Sequence, residues 1–235
     1  MLSMAILAGG LATRLGEIAQ GKPKCLIEVN GRPFVDWQLE RLIESGYNRF
    51  VFCVSHKSES IKKYLGDGTD RGIEIVYSDD GEKQLGTGGA LKKAIPLLTE
   101  KFGVIYGDSY LPIDTKKIEN QFLMSDLLGA MTIYKNHDQF DKSNVEFEKG
   151  KILNYAKGTS NPKMKYIDYG LSYFRAEAFS TYPDGKSFDL SELLEFLVRE
   201  QHILGIEVHE RFYEIGSMAG IEDFRTYLER KVHEF

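Results

Sequence analysis

What most constrains this chain is the way its first apolar run ends. Met4 to Leu7 carries no charge and has the length and composition of a strand buried on both faces; it breaks at once into Ala8-Gly9-Gly10, with Thr13 and Arg14 just beyond. Glycines without a Cβ let backbone approach a ligand and turn several N–H groups toward one point, and the planar guanidinium of Arg14 suits phosphate oxygens. A glycine pair after a strand also reads as an ordinary strand-to-helix turn. The loop lacks both the last glycine of a dinucleotide fingerprint and the Gly-Lys-Ser/Thr ending of a P-loop, so a phosphate site here is of another kind. Lys24 follows Pro23, whose ring limits where the ammonium can point.

The chain then alternates. Pro33 to Ser45 places Phe34, Val35, Trp37, Leu39, Leu42 and Ile43 on a helical stripe that Pro33 can start and Gly46 can end. Phe50 to Val54 predicts a strand, Ser58 to Leu65 a short helix and Ile73 to Ser78 another strand, an order that predicts parallel strands with crossover helices. Gln84 to Ala94 is a second glycine-rich stretch, in which Thr87 is expected to cap a helix running to about Leu98. Small residues at a helix N-terminus suit a flat or anionic ligand, although a flexible turn would have the same composition.

Phe102 to Tyr106 closes on Gly107-Asp108, a carboxylate at the carboxyl end of a strand, where open α/β sheets bind ligands. The same Asp also suits a turn or a helix cap. From Leu128 the pattern changes to strand-like runs at Ala130 to Tyr134, Val145 to Glu148, Ile152 to Tyr155 and Ile167 to Phe174, separated by turn residues, which predicts antiparallel pairing. A helix from Leu190 to Glu200, a strand from Leu204 to Val208 and a final helix capped by Ser217 complete the reading. With no linker and no repeat, residues 1–235 are expected to form a single domain of two lobes, 1–127 and 128–235.

Composition excludes some classes. Net charge is −5 with both signs interspersed, so no basic face is expected to follow a nucleic-acid backbone. Cys25 and Cys53 stand apart, and reduced thiols are expected. The five histidines show no metal-ligand spacing. The N-terminus lacks a signal peptide's basic start and long apolar core, and no apolar run approaches the ~18 residues of a membrane span, so the expected location is the cytoplasm.

The opening stretch resembles the signature of the sugar-1-phosphate nucleotidyltransferases, L-x-G-G-x-x-T-R-L, a spacer, P-K-x-L, then P-F, at Leu7, Gly9, Gly10, Thr13, Arg14, Leu15, Pro23, Lys24, Leu26, Pro33 and Phe34. The string Leu85 to Ala90 resembles the segment this family lays against base and ribose, in a form most similar to the mannose-1-phosphate and D-glycero-D-manno-heptose-1-phosphate guanylyltransferases. The resemblance implies a Rossmann-like α/β fold: an open, mixed, mainly parallel sheet with helices on both faces and a smaller antiparallel sugar-binding lobe. It implies a Mg²⁺-dependent reaction of an NTP, GTP by preference, with a hexose or heptose 1-phosphate, yielding NDP-sugar for surface polysaccharide and pyrophosphate. A homodimer is compatible with it.

Residue by residue, the resemblance assigns nucleotide binding to Leu7, Ala8, Gly9, Gly10, Thr13, Gly86, Thr87 and Gly88, and catalysis to Arg14 and Lys24. Asp108 matches the family's first Mg²⁺ ligand. Glu214 stands where its second, an Asp, is usual, one methylene longer, so its carboxylate must fold back or its backbone must sit farther off. Lys157 matches the phosphate-binding lysine, but Ala156 replaces the acidic residue before it, so that carboxylate contact to the sugar is not carried over. Asn144, Asp168 and Gly170 fall on its substrate-binding strands. Two other functions are compatible. A transferase of the same fold acting on phosphocholine with CTP would need an aromatic cage, for which Tyr155, Tyr166, Tyr169 and Tyr173 are candidates. A non-catalytic nucleotide-sensing subunit is disfavoured by Arg14, Lys24 and Asp108.

Overall fold

The computed structural model describes residues 2–10, 22–55, 58–81, 83–158 and 161–233. Strand β1 (Ser3–Leu7) is buried from Ser3 to Ile6, as its uncharged composition requires. A tight hairpin of β2 (Glu28–Val29) and β3 (Arg32–Pro33) turns at Asn30 and Gly31, both at positive φ. Pro33 then caps helix α1 (Phe34–Glu44), and Ser45 ends it.

The alternation follows as β4 (Arg49–Val54), α2 (Glu59–Leu65), β5 (Glu74–Asp79), α3 (Gly86–Ala94), β6 (Lys101–Tyr106), the short β7 (Ser109–Tyr110) and α4 (Thr115–Leu123). The second half contributes β8 (Gly129–Lys135), β9 (Val145–Glu148), β10 (Lys151–Tyr155), β11 (Tyr166–Arg175), α5 (Leu190–Arg199), β12 (Ile203–Val208), the short β13 (Tyr213–Glu214) and α6 (Met218–His233).

Strands β6, β1, β4 and β5 lie side by side in that order, all parallel, so their carboxyl ends share one edge. The antiparallel part continues the same sheet. Strand β11 pairs with β6 on one side and β8 on the other, β9 and β10 form a hairpin, and β12 returns parallel to β8. A bulge interrupts β11 between Asp168 and Ser172, where Gly170 sits at φ +94.

Helices cover both faces because strand side chains alternate. On β1, Met4 and Ile6 join a core with Val35, Leu39 and Leu42 of α1, while Ala5 faces the opposite core with Ala90, Leu91 and Ala94 of α3 and Leu193 of α5. A third, smaller cluster of Phe34, Tyr110, Ile215 and Phe224 seats α6. Ser217 caps that helix as expected, its Oγ accepting from the N–H of Gly220 at 3.1 Å. Among the described residues, no helix is long and apolar enough to cross a membrane.

Thr87 departs from expectation. The cap of α3 is Leu85, and Gly86 at φ +71 makes the turn into the helix; Thr87 is already helical, and a 3₁₀ turn at Ile95–Leu97 follows Ala94. The Thr87 hydroxyl instead accepts the N–H of Leu190 at 2.8 Å, adding to the capping box that Asp189 and Glu192 form at the start of α5. A hydroxyl with a tertiary partner so close is no longer required by its own helix.

One buried side chain spans the sheet edge. Gln38 of α1 is 1% exposed and donates from Nε2 to the carbonyls of Tyr106 at 2.8 Å and Ser109 at 2.6 Å, on either side of Gly107-Asp108. Gln38→Leu removes this donor from two carbonyls, and a stability loss of about 2 kcal/mol is expected in urea unfolding, with a fall in turnover at saturating substrate. Unchanged stability and rate would release the turn from Gln38.

Candidate active site

A cleft of about 480 Å³ opens at the carboxyl ends of β1, β4, β5 and β6. Of the predicted residues, Leu7, Ala8, Gly9, Gly10, Lys24, Gly86, Thr87 and Asp108 all line it. Thr13 and Arg14 lie outside the described residues. Gly88 faces elsewhere. Its N–H donates to Phe188 O at 3.0 Å, and a Cβ there would run into the Phe188 ring, so this glycine answers to packing against the segment before α5.

Lys24 begins a 3₁₀ turn, Lys24–Leu26, set by Pro23, and its side chain runs past Gly10. Its Nζ donates to Asp108 Oδ2 at 2.8 Å, with both side chains 25% exposed, so the pair remains open to water and to ligand. Asp108 is aimed by its turn. The N–H of Gly107 bonds to Leu7 O at 3.0 Å, and a Cβ on Gly107 would lie 3.0 Å from that oxygen and 3.2 Å from Ala8 Cα, a close approach that favours glycine. From the other side, β13 pairs with β7, Glu214 opposite Ser109, and the N–H of Ile215 donates to Asp108 O at 3.0 Å.

The two carboxylates expected to share a metal are therefore brought to neighbouring strands. Water reaches much of Glu214, yet crowding by protein, then the charges of Asp108 and Asp141, push its carboxyl up to about 7 against the opposing pull of Lys24. Such a pair suits a hard divalent cation, and the ammonium on Asp108 shows that positive charge is already drawn there. Among the described residues no group of three or more such ligands occurs.

The predicted sugar-side residues also assemble. Asn144 Oδ1 accepts the N–H of Asp168 at 2.9 Å, Asp168 Oδ1 accepts the N–H of Gly170 at 3.0 Å, and a Cβ on Gly170 would lie 3.6 Å from the Tyr106 ring. Burial pushes Asp168 up to about 6, partly offset by the Gly170 N–H and the charge of Lys157. Tyr106 links the two sides. Burial raises its phenol, and Asp168, Asp189, Asp108 and Glu214 all push in the same direction, so the charges of four carboxylates act on one ring. Lys157 pairs with both oxygens of Asp189 at 3.2 Å and is largely exposed, which keeps its ammonium beside this group.

The tyrosines considered for a choline cage do not converge. Tyr173 is fully buried with its hydroxyl 2.8 Å from that of Tyr47 and donating to Thr115 O, and Tyr169 packs against Tyr134 and Phe212. Tyr155 is buried in the opposite core, and Tyr166 stacks edge-on with Phe147. These rings are spent on packing.

Among the lining residues that the sequence reading did not assign to the site are Ser55, Asp80 and Tyr106. Each lies at, or within two residues of, the end of a predicted strand, the same signal that singled out Asp108. Ser55 donates from Oγ to Gly9 O at 2.8 Å, and a Cβ on Gly9 would approach that Oγ to 3.3 Å. Cys25 and Cys53 are free and buried in the cleft wall, with burial raising both thiols to about 12, so they are inert.

A family profile described as "Nucleotidyl transferase" matches residues 4–188. The chain is 29% identical over 224 residues to the D-glycero-alpha-D-manno-heptose 1-phosphate guanylyltransferase of Campylobacter jejuni, covering 95% of this chain and 97% of that one. Among solved structures, HddC from Yersinia pseudotuberculosis complexed with GMP-PN superposes with TM-score 0.78 at 24% identity, over 97% of this chain and all of that one. The inositol-1-phosphate CTP transferase from T. maritima also superposes with TM-score 0.78, at 22% identity over 94% and 91% of the two chains. These two likenesses establish the fold, a mixed, mainly parallel sheet with small antiparallel additions.

Asp168 predicts a pH signature. Its carboxyl rises from 3.8 to about 6 on folding, so between those values the folded chain holds a proton that the unfolded chain has lost. The stability this group contributes is complete below its unfolded value and is lost as pH rises through about 6. In Asp168→Asn without ligands that slope is absent, and the mutant's melting temperature should gain on the wild type's between pH 4 and 7. Parallel melting curves over that range would contradict it.

Proposed function

The chain belongs to the nucleotidyl transferase family, and on that premise we propose that it joins an NTP, GTP by preference, to a hexose or heptose 1-phosphate, releasing pyrophosphate. The observation that carries this reading is the Lys24–Asp108 pair on the floor of a glycine-lined cleft, with Glu214 on the adjoining strand and Asn144, Asp168 and Gly170 gathered beside them. The full-length likeness to a heptose 1-phosphate guanylyltransferase supports the choice of GTP and of a heptose.

The chemistry asks little of the protein as a base. A phosphate monoester, with a second pKa of about 6, is already largely a dianion at neutral pH and attacks the α-phosphorus unaided. What it needs is a place where two anions can meet in line. Glycine backbone at Gly9 and Gly10 lets the triphosphate approach β1, and Arg14 and Lys24 neutralise it and the charge that grows on departing pyrophosphate. Lys24 must leave Asp108 or share it for this, which its partial exposure allows. Lys157, beside Asp168, holds the incoming sugar phosphate in line. Asp108 and Glu214 would hold Mg²⁺, which when bound supplies charge neutralisation between the two phosphates.

A pyrophosphate-release screen of the common NTPs against a panel of sugar 1-phosphates tests the reading directly. GTP is expected to give the highest specificity constant; preference for UTP, dTTP or CTP by about tenfold, roughly 1.4 kcal/mol, would overturn the base assignment.

The metal assignment has its own test. EDTA should abolish turnover, Glu214→Gln should raise the Mg²⁺ concentration needed for half-maximal rate about tenfold or more, and Glu214→Asp should keep part of the activity. An unchanged Mg²⁺ titration in Glu214→Gln would leave Asp108 as the sole protein ligand.

A further inference from the structure

Lys157, to which the function proposed above gives the incoming sugar phosphate, is a long side chain just past the end of a short strand. It lies two residues beyond β10, where the Ala156 N–H donates to Asn144 O at 3.0 Å and Gly158 turns the chain at φ +81. Its four rotatable bonds give the ammonium many places to be, and ordering it on a phosphate costs free energy. The aim of that ammonium comes from another element. Both oxygens of Asp189 accept from Lys157 Nζ at 3.2 Å, while Oδ1 also accepts the Ser191 N–H at 2.9 Å as the cap of α5. The Asp189 N–H in turn donates to Glu192 Oε1 at 3.2 Å. A carboxylate bonded to the first turn of its own helix cannot rotate without giving up the cap, so α5 fixes the direction in which it faces. Partial burial works to raise the Asp189 carboxyl, but the Ser191 N–H and the charge of Lys157 hold it below its usual range, so it stands charged.

The seat of Asp189 is itself clamped to the second glycine string. On one side the Phe188 N–H donates to Leu85 O at 3.0 Å, and Phe188 O accepts from the N–H groups of Gly88 and Gly89 at 3.0 and 3.2 Å. On the other side the Leu190 N–H donates to Thr87 Oγ1 at 2.8 Å. Phe188 is buried and stacks on Tyr182 with ring centroids 4.0 Å apart. A Cβ on Gly86 would lie 2.5 Å from Phe188 O, and one on Gly89 2.5 Å from Lys186 O, so the string is small where this segment presses on it. Asp189 therefore stands on a rigid part of the cleft wall.

We propose that Asp189 is a positioning residue, which holds the Lys157 ammonium in place before the phosphate of the sugar 1-phosphate arrives. This rests on the role given to Lys157 above. An ammonium has three donors, so Lys157 can keep Asp189 and still donate to a phosphate oxygen. The two side chains are 60% and 42% exposed, which sets the scale: water screens the pair, and its loss is expected to cost a few-fold in binding.

Asp189→Asn tests this without disturbing α5, because asparagine caps a helix as well as aspartate and only the charge is lost. The NTP and sugar 1-phosphate that turn over fastest in the pyrophosphate-release screen serve as probes. In Asp189→Asn the KM for the sugar 1-phosphate should rise about fivefold while that for the NTP stays within about twofold. The gap between the two enzymes should shrink in about 0.5 M NaCl, as a lost charge requires and lost packing does not. In a Lys157→Ala background, adding Asp189→Asn should change the KM no further. Equal KM in wild type and Asp189→Asn, with Lys157→Ala raising it about tenfold or more, overturns Asp189 alone. An unchanged KM in Lys157→Ala overturns the role of Lys157 itself, and this inference with it. Asp189→Ser, which also keeps a capping oxygen, gives the same reading should the asparagine variant not fold. A rise equal for both substrates, or one that persists in Lys157→Ala, marks a merely structural role and overturns the proposal.

Discussion

The Gly107-Asp108 turn is the point on which the site hangs. Four elements hold it: β1 through Leu7 O, α1 through the Gln38 amide, β13 through the Ile215 N–H, and the Lys24 turn through its ammonium. Each of the first three bonds is a buried or partly buried contact to backbone, so the direction of the Asp108 carboxylate is a property of the sheet edge rather than of a mobile side chain. Because β13 is one of those elements, the anchoring of Asp108 also decides where Glu214 stands.

Charge around this turn is unbalanced by design of the residues present. Burial and the charges of four carboxylates raise the Tyr106 phenol, and two of those carboxylates are themselves pushed up, Asp168 to about 6 by burial and Glu214 to about 7 by crowding and the charges of Asp108 and Asp141. Carboxylates in such a state bind cations more readily than they accept further anions. In the function proposed above, Lys24, Lys157, Arg14 and a divalent ion would supply the positive charge that two phosphate-bearing substrates need on such a floor.

The second glycine string divides its work. Gly86 turns the chain at positive φ and lines the cleft, whereas Gly88 and Gly89 are small because Phe188 and Lys186 press against them. Thr87 lines the cleft and also caps α5 from outside. The wall of the cleft and the start of α5 are thus locked together, so a change at the glycine string is felt at Asp189 and its partner Lys157.

Much of this was legible in one dimension. Apolar runs of strand length, the helical stripe from Phe34 and the glycine and aspartate residues that end strands are local patterns, and local backbone preference settles them; hence the alternating half, Asp108 and Ser217 were all expected. Contacts between segments far apart in sequence were not. Thr87 looks like a helix cap until Leu190, over a hundred residues later, claims its hydroxyl; Gly88 looks like a ligand cradle until Phe188 arrives; and Gln38 looks like any polar residue on a helix until two carbonyls meet its amide. Asp80 carried the same strand-end signal as Asp108, but only the folded chain distinguishes a carboxylate with an oxygen unpaired among the described residues from its neighbour Asp79, whose two oxygens are both bonded. Sequence by itself determined which elements form and which residues end them, because those depend on neighbours along the chain; tertiary structure decided which of those residues face a ligand, because hydrogen bonds and burial are shared among groups that only folding brings together.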